Sequence, residues 1–271
     1  MSSAPDRRLR PLTDEELVGR VVTRAEMDAA HEGKQDPVIV ACAAWKGGVG
    51  KSQLAYELAY LLGGVLVDLD WDRGGVTRKW GHRHETLMRA RLLDALETGT
   101  VPAPLTGTRK PELVPSHPDL VENQPAPEAG ADALQAWARA WARPYVVVDT
   151  HPGGCPATYA ALAAAHVVVV PAVLAVNELE ALEGMLDELP DHPLLLIPYM
   201  VPPVPPAAEL ERLEKLVTKY KPVVGPPVSK YPWLQRRKIR IALTSYDPEP
   251  ARVAPLAAEL RAVAEAVKSY G

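Results

Sequence analysis

Five short, almost wholly apolar runs, Val38–Ala44, Val65–Leu69, Tyr145–Val148, His166–Val170 and Leu194–Ile197, limit the possible folds more than any other feature of the chain. A strand with one wet face alternates polar and apolar residues. A run that is apolar throughout must be covered on both sides, as a strand inside a parallel sheet is. The stretches between the runs, Ser52–Leu62, Pro156–Ala165, Glu178–Leu189 and Ala207–Tyr220, carry apolar residues at helical spacing. This alternation predicts an α/β fold, a doubly wound, mainly parallel sheet flanked by helices.

The alternation begins only after residue 37. Residues 1–37 are polar and charged and read as an N-terminal extension, with a helix over Thr13–Ala30 that Thr13 and Glu16 could cap. Residues 38–271 then form one domain. Within it, residues 99–132, rich in Pro, Gly and polar residues, read as the longest irregular connection, and Val201–Pro206 as a rigid loop after a strand rather than a polyproline ligand. With no Phe in 271 residues, the core must be built from Ala, Val, Leu and Ile, with Tyr and Trp as its aromatics. Two cysteines, Cys42 and Cys155, are too few for a disulfide framework or a four-thiolate metal site. The N-terminus lacks the apolar core of a secretory signal, and no run reaches the roughly 18 apolar residues of a membrane span, so a cytoplasmic protein is expected.

Between the first apolar run and the first helical stretch lies Lys46-Gly47-Gly48-Val49-Gly50-Lys51-Ser52. Its spacing fits the P-loop rule, with Ala44–Trp45 standing for the loop start. Glycines are needed because backbone N–H groups must converge on phosphate oxygens, an approach that side chains would block. The helix N-terminus adds partial positive charge. Lys51 is placed to neutralise β- and γ-phosphate charge, and the Ser52 hydroxyl to ligate Mg²⁺.

The extra lysine at Lys46 makes K-G-G-V-G-K-S similar to the deviant Walker A motif of the ParA/MinD family of ATPases. The resemblance implies a nucleotide site made of Lys46, Gly47, Gly48, Val49, Gly50, Lys51, Ser52 and Gln53. It also implies an ATP-dependent homodimer in which Lys46 reaches the partner's ATP, much as an arginine finger does. It continues along almost the whole chain after residue 38. Val65–Asp70 looks like the family's second strand ending in D-x-D, so Asp70 would orient the attacking water and Asp68 would support the P-loop or the metal shell. Trp71-Asp72-Arg73 departs from the family pattern at once. Tyr145–Asp149 resembles a Walker B strand, whose Asp149 would hold Mg²⁺ through water. In the following Thr150–Gly154, His151 stands where the family has a proline, and it reads as a loop residue without a proton-transfer role. Leu194–Met200 occupies the place of the adenine-side strand, yet no base-reading residue carries over, and Pro226–Ser229 is a second candidate lining of that pocket.

Charge selects among the family's branches. The whole chain has 30 basic and 34 acidic residues, a balance that argues against coating nucleic acid by bulk charge. From Lys215 to Tyr246, however, there are eight basic residues and no acidic one. Such polarity between segments is expected of a phosphate-contacting surface, with Lys230, Arg236, Arg237, Lys238 and Arg240 as its candidate DNA contacts. In ParA-type relatives the C-terminal surface binds DNA without sequence preference once ATP has joined two subunits. The resemblance therefore implies a nucleoid-associated partition ATPase with a ParB-like partner. A MinD-like membrane-associated positioning ATPase, a ParA-like protein that positions a non-DNA cargo and a scaffold that uses nucleotide only as structure are its alternatives. The last helix, predicted over Ala251–Lys268, favours packing over lipid, since one stripe of Leu256, Leu260, Val263 and Val267 suits the sheet.

Overall fold

The computed structural model describes residues 36–72, 75–83, 91–237 and 240–270. The predicted extension and its Thr13–Ala30 helix therefore lie almost wholly outside the described residues. In chain order the elements are β1 (Val38–Cys42), α1 (Lys51–Leu61), β2 (Val65–Asp68), α2 (Val76–Trp80), α3 (Arg91–Thr98), β3 (Glu112–Val114), α4 (Pro127–Trp141), β4 (Tyr145–Asp149), α5 (Pro156–Ala164), β5 (Val167–Ala172), α6 (Val176–Glu188), β6 (Leu194–Val201), α7 (Ala207–Tyr220), β7 (Val223–Val224), β8 (Val228–Ser229) and α8 (Ala254–Lys268). Short 3₁₀ turns occupy Pro118–Val121, Pro232–Arg236 and Leu243–Ser245.

The strands form a parallel sheet in the order β3-β2-β4-β1-β5-β6-β7, with β8 added beside the end of β6. All five apolar runs became strands, and their residues are covered on both sides. Along β1, Ile39 and Ala41 face one cluster of buried residues while Val40 and Cys42 face the other. Helices α4, α5, α6 and α7 cover the first face, and α1 and α8 cover the second. The stripe Leu256, Leu260, Val263 and Val267 of α8 is buried in that second cluster, so packing accounts for it. Among the described residues, no helix is long and apolar enough to cross a membrane.

The prediction for residues 99–132 is corrected. That stretch contains β3, a 3₁₀ turn and the first residues of α4. Pro127 is the reason the helix start was hidden, because a proline at the first helical position reads as a breaker while it is compatible with a helix start. The rest of the stretch is held by a single antiparallel bridge between Leu105 and Leu113 and by side chains. Trp137 and Trp141 on α4 donate their indole N–H groups to the carbonyls of Thr100 and Pro102, both at 2.9 Å. Val201–Pro206 behaves as expected, closing β6 and leading into α7.

A buried carboxylate ties two distant parts of the chain together. Glu57, in the middle of α1 and fully buried, accepts from Leu243 N at 2.8 Å, from Thr244 N at 3.2 Å and from Thr244 Oγ1 at 3.0 Å. The carboxyl thereby pins the turn before α8 to the helix after the P-loop. Burial raises its pKa, against the pull of these donors and of Arg237. Glu57→Ala would orphan these donors in a closed core, and the expected loss of unfolding free energy is on the order of 3 kcal/mol. Urea titration checks it through a lowered midpoint at unchanged slope, and a loss below about 1 kcal/mol would contradict the structural role.

Candidate functional site

β1 lies at the centre of the sheet, between β4 and β5, and the glycine-rich loop leaves its C-terminal end. This is the switch point at which open parallel sheets hold ligands. Gly48 and Gly50 adopt φ values of +84° and +91°, the left-handed region that disfavours side chains. At Gly50 a second constraint acts, because a Cβ there would stand 2.3 Å from the ring of Tyr199. Tyr199 is buried at the end of β6, so the loop rests on the strand predicted to face adenine. β8 pairs with this same strand end at Tyr199 and Val201, which brings the two predicted adenine-side segments together.

Lys51 opens α1 and is almost fully buried. Its ammonium donates to Asp149 Oδ1 at 2.8 Å and to the Thr150 carbonyl, and it lies 3.9 Å from Asp70 Oδ2. Burial alone would lower its pKa, but Asp149 and Asp70 outweigh burial and raise it. Two neighbouring carboxylates, Asp68 and Asp70, have the opposite problem. Burial raises the pKa of Asp68 to about 7, with the charge of Asp149 adding to the shift and hydrogen bonds from Thr77 opposing it. Burial likewise raises Asp70, partly offset by Lys51.

Three buried carboxylates surround one buried ammonium, with Lys79 on α2 adding a second positive charge that acts on all three, so the set still carries an excess of carboxylate. Asp149 shows it most directly, since its Oδ2 is buried and has no hydrogen-bond partner among the described residues. A hydrated divalent cation beside the Ser52 hydroxyl would satisfy that oxygen, so the residues fit the predicted Mg²⁺ site. Asp68 is committed elsewhere. Its Oδ1 accepts from Asp70 N at 2.9 Å, and its Oδ2 accepts from Thr77 N and Oγ1 at 2.7 and 2.6 Å, which ties the start of α2 to the end of β2. Its hydrogen bonds brace the segment after β2 rather than reach toward a metal. The loop after β4 backs the P-loop in turn, with Thr150 N donating to Cys42 O at 3.2 Å and Gly153 N to Ala44 O at 3.0 Å.

Known proteins share this fold. No protein-family model matches the chain. A curated relative, the chromosome-partitioning ATPase Soj of Thermus thermophilus, is 35% identical over 159 residues, which are 55% of this chain and 60% of the relative. An ATP complex of a McdA variant from Cyanothece superposes with a TM-score of 0.69 at 17% identity, over 84% of this chain and 96% of that one. MinD from Aquifex aeolicus gives a TM-score of 0.65 at 17% identity, over 87% and 98%. Cobyrinic acid a,c-diamide synthase from Mycobacterium smegmatis, with a bound ATP analogue and magnesium, gives 0.61 at 24% identity, over 86% and 94%.

The chain has the fold of the ParA/MinD-type P-loop proteins.

Against the ParA/MinD pattern, the two departures found in the sequence meet each other. The Trp71 ring stacks on the His151 imidazole, with centroids 3.9 Å apart and planes 7° from parallel. His151 Nε2 is also 3.5 Å from Asp72 Oδ2. Asp70, Asp72 and His151 bring donor atoms within 4.8 Å of one another, on the side of the site where Asp70 stands.

A second network escaped the sequence reading. Trp45, just before Lys46, donates its indole N–H to Glu188 Oε2 at 2.8 Å, and the Tyr159 hydroxyl donates to Glu188 Oε1. The start of the loop is thus anchored to α5 and α6, with half-buried Lys46 next to the anchor. The chain offers no local signal for this, since the three residues are far apart in sequence.

The basic surface is smaller than the linear count and differently composed. Lys215 and Lys219 lie on α7, where Lys215 pairs with Glu211 at 2.7 Å and Lys219 lies 3.5 Å from Asp187. Asp187 belongs to α6, outside the segment that was counted, so part of the excess is neutralised in space. Lys230, Arg236 and Arg240 are exposed, and Arg237 donates to the Ile241 carbonyl at 2.6 Å, which shapes the bend. Lys238 lies outside the described residues. Of the two cysteines, Cys42 is buried within β1, where burial pushes its thiol pKa up, and Cys155 caps α5.

The two loop glycines differ in a way that can be measured. Gly48→Ala meets no neighbour and should cost about 1–2 kcal/mol for the left-handed backbone alone. Gly50→Ala also meets Tyr199 and should lower the thermal midpoint well beyond Gly48→Ala. Equal effects would mean that Tyr199 does not support the loop.

Proposed function

We propose that this protein is a ParA-type ATPase that segregates DNA. Two copies close face to face around ATP and Mg²⁺, the dimer holds DNA without sequence preference, and a cargo-bound, ParB-like partner stimulates hydrolysis. The reading is carried by one observation. A P-loop led by Lys46 and the exposed cations Lys230, Arg236 and Arg240 belong to one domain, and Glu57 on α1 holds the turn at Leu243–Thr244 that follows those cations. The chromosome-partitioning role of the Thermus relative supports it. The location this implies is the nucleoid within the cytoplasm.

In this mechanism the backbone N–H groups of Gly47–Ser52 and the N-terminus of α1 receive the phosphates, and Gln53 continues them into the first helical turn. Lys51 turns from Asp149 toward the β- and γ-oxygens. Ser52 and Asp149, the latter through water, hold Mg²⁺, which neutralises phosphate charge when bound. Asp70 accepts a hydrogen bond from the attacking water and aligns it on the γ-phosphate. Lys46 of each subunit stabilises charge on the other subunit's phosphates. Dimerisation doubles the cationic surface, so a contact too weak in one chain becomes useful binding in the ATP state.

Two measurements test this. With ATP and Mg²⁺, a salt series of binding to a duplex of arbitrary sequence should have a steep slope, and Arg236→Ala with Arg237→Ala should reduce it by about two. An unchanged slope removes the DNA assignment. Lys46→Ala should abolish ATP-dependent dimerisation in light scattering, while Asp70→Ala should dimerise without hydrolysing. A Lys46→Ala protein that still dimerises and hydrolyses normally would remove the cross-subunit role.

A further inference from the structure

The cationic bend does not stop at the C-terminal segment. We propose that Arg109 and Lys110, from the loop before β3, join Arg240 in a clamp for the phosphate backbone of duplex DNA, built around Gly81; this rests on the DNA reading above.

The fold brings the loop before β3 against the segment around Arg240: Lys110 and Arg240 meet at Gly81, and Arg109 reaches Ser245 and Tyr246 just beyond them. A Cβ at Gly81 would lie 3.1 Å from Arg240 Cδ, 3.2 Å from Arg240 Nη1 and 3.8 Å from Lys110 Nζ, so a guanidinium and an ammonium stand over the same glycine. Gly81 ends α2 with φ of +101°, a conformation that favours glycine, and its lack of a side chain leaves the space the two cations share.

Lys110 and Arg109 are held in place by the frame. Lys110 Nζ donates to the Trp80 carbonyl at 2.8 Å and sits 4.2 Å from the centre of the Trp80 ring, while the Trp80 indole donates to Pro111 O at 2.8 Å. Arg109 Nε donates to Ser245 O and Oγ, both at 3.1 Å, its guanidinium lies 4.6 Å over Tyr246, and its carbonyl accepts from Ala242 N at 2.8 Å. The loop before β3 is therefore fastened to the turn just after Arg240.

Among the described residues, no carboxylate forms an ion pair with Arg109, Lys110 or Arg240. Segments 75–83, 99–111 and 222–246 together contain ten of the 30 basic residues and none of the 34 acidic ones. Burial, with Arg240 beside it, lowers the pKa of Lys110. Like charges held side by side repel until an anion lies between them. A duplex supplies anions at regular intervals, and arginine offers them a planar fork of donors.

The test uses the full chain with ATP, Mg²⁺ and a linear duplex of arbitrary sequence, read as the slope of log K against log salt. Arg109→Gln and Lys110→Gln should each reduce the slope by about one, and Lys110→Arg should restore it. Unchanged slopes in both Gln variants, with a reduced slope in Arg236→Ala with Arg237→Ala, would overturn the clamp and leave the DNA reading standing. If the wild type binds no duplex with ATP, the DNA reading fails and the clamp fails with it. If the wild type instead binds phosphatidylserine vesicles and Lys110→Gln weakens that, the clamp serves lipid headgroups and the proposal is wrong.

Discussion

The buried ion pair between Lys51 and Asp149 is the contact on which the rest of the site is arranged. It joins the first residue of α1 to the last residue of β4, and so fixes the P-loop against the strand that neighbours β1. An ammonium in such a place needs at least one carboxylate, and burying the pair is tolerable only because further hydrogen bonds complete it. The pair leaves one oxygen of Asp149 unsatisfied and two raised carboxyls nearby. That imbalance makes the pocket ready for cationic and anionic ligands together, as a metal–nucleotide complex is.

Most of the frame was legible in the sequence because it depends on local rules. A strand covered on both faces has to be apolar throughout, and a phosphate-binding turn has to contain glycines, so β1, β2, β4, β5 and β6 and the Lys46–Ser52 loop could be placed from composition and order alone. β3 has only three residues, and α4 starts on a proline, so neither produced a readable period. The positions of Asp70 and Asp149 at strand ends were also legible, because a carboxylate that closes an apolar run must sit at the sheet's C-terminal edge.

The contacts that complete the site were not legible, and the reason is distance along the chain. Trp45, Tyr159 and Glu188 are joined only by the folding of α5 and α6 beside the loop. Counting charges along the chain gives an incomplete surface for the same reason, as the partner of Lys219 lies on another helix and Lys110, beside Arg240, comes from the loop before β3. The Trp71–His151 stack is intermediate. Each residue was visible as a departure from the family pattern, but only the structure shows that one departure accommodates the other.

Glu57 sits a turn and a half along a helix whose first turn faces the phosphate loop, and its carboxyl grips the backbone beyond the cationic bend. A single helix has no joint within it. Displacement at one end is carried to the other as in a stiff rod, without a hinge and without an intervening chain of side-chain rearrangements. In such a molecule the glycine-rich loop and the cationic surface share one lever arm, and neither can be re-aimed without moving the other.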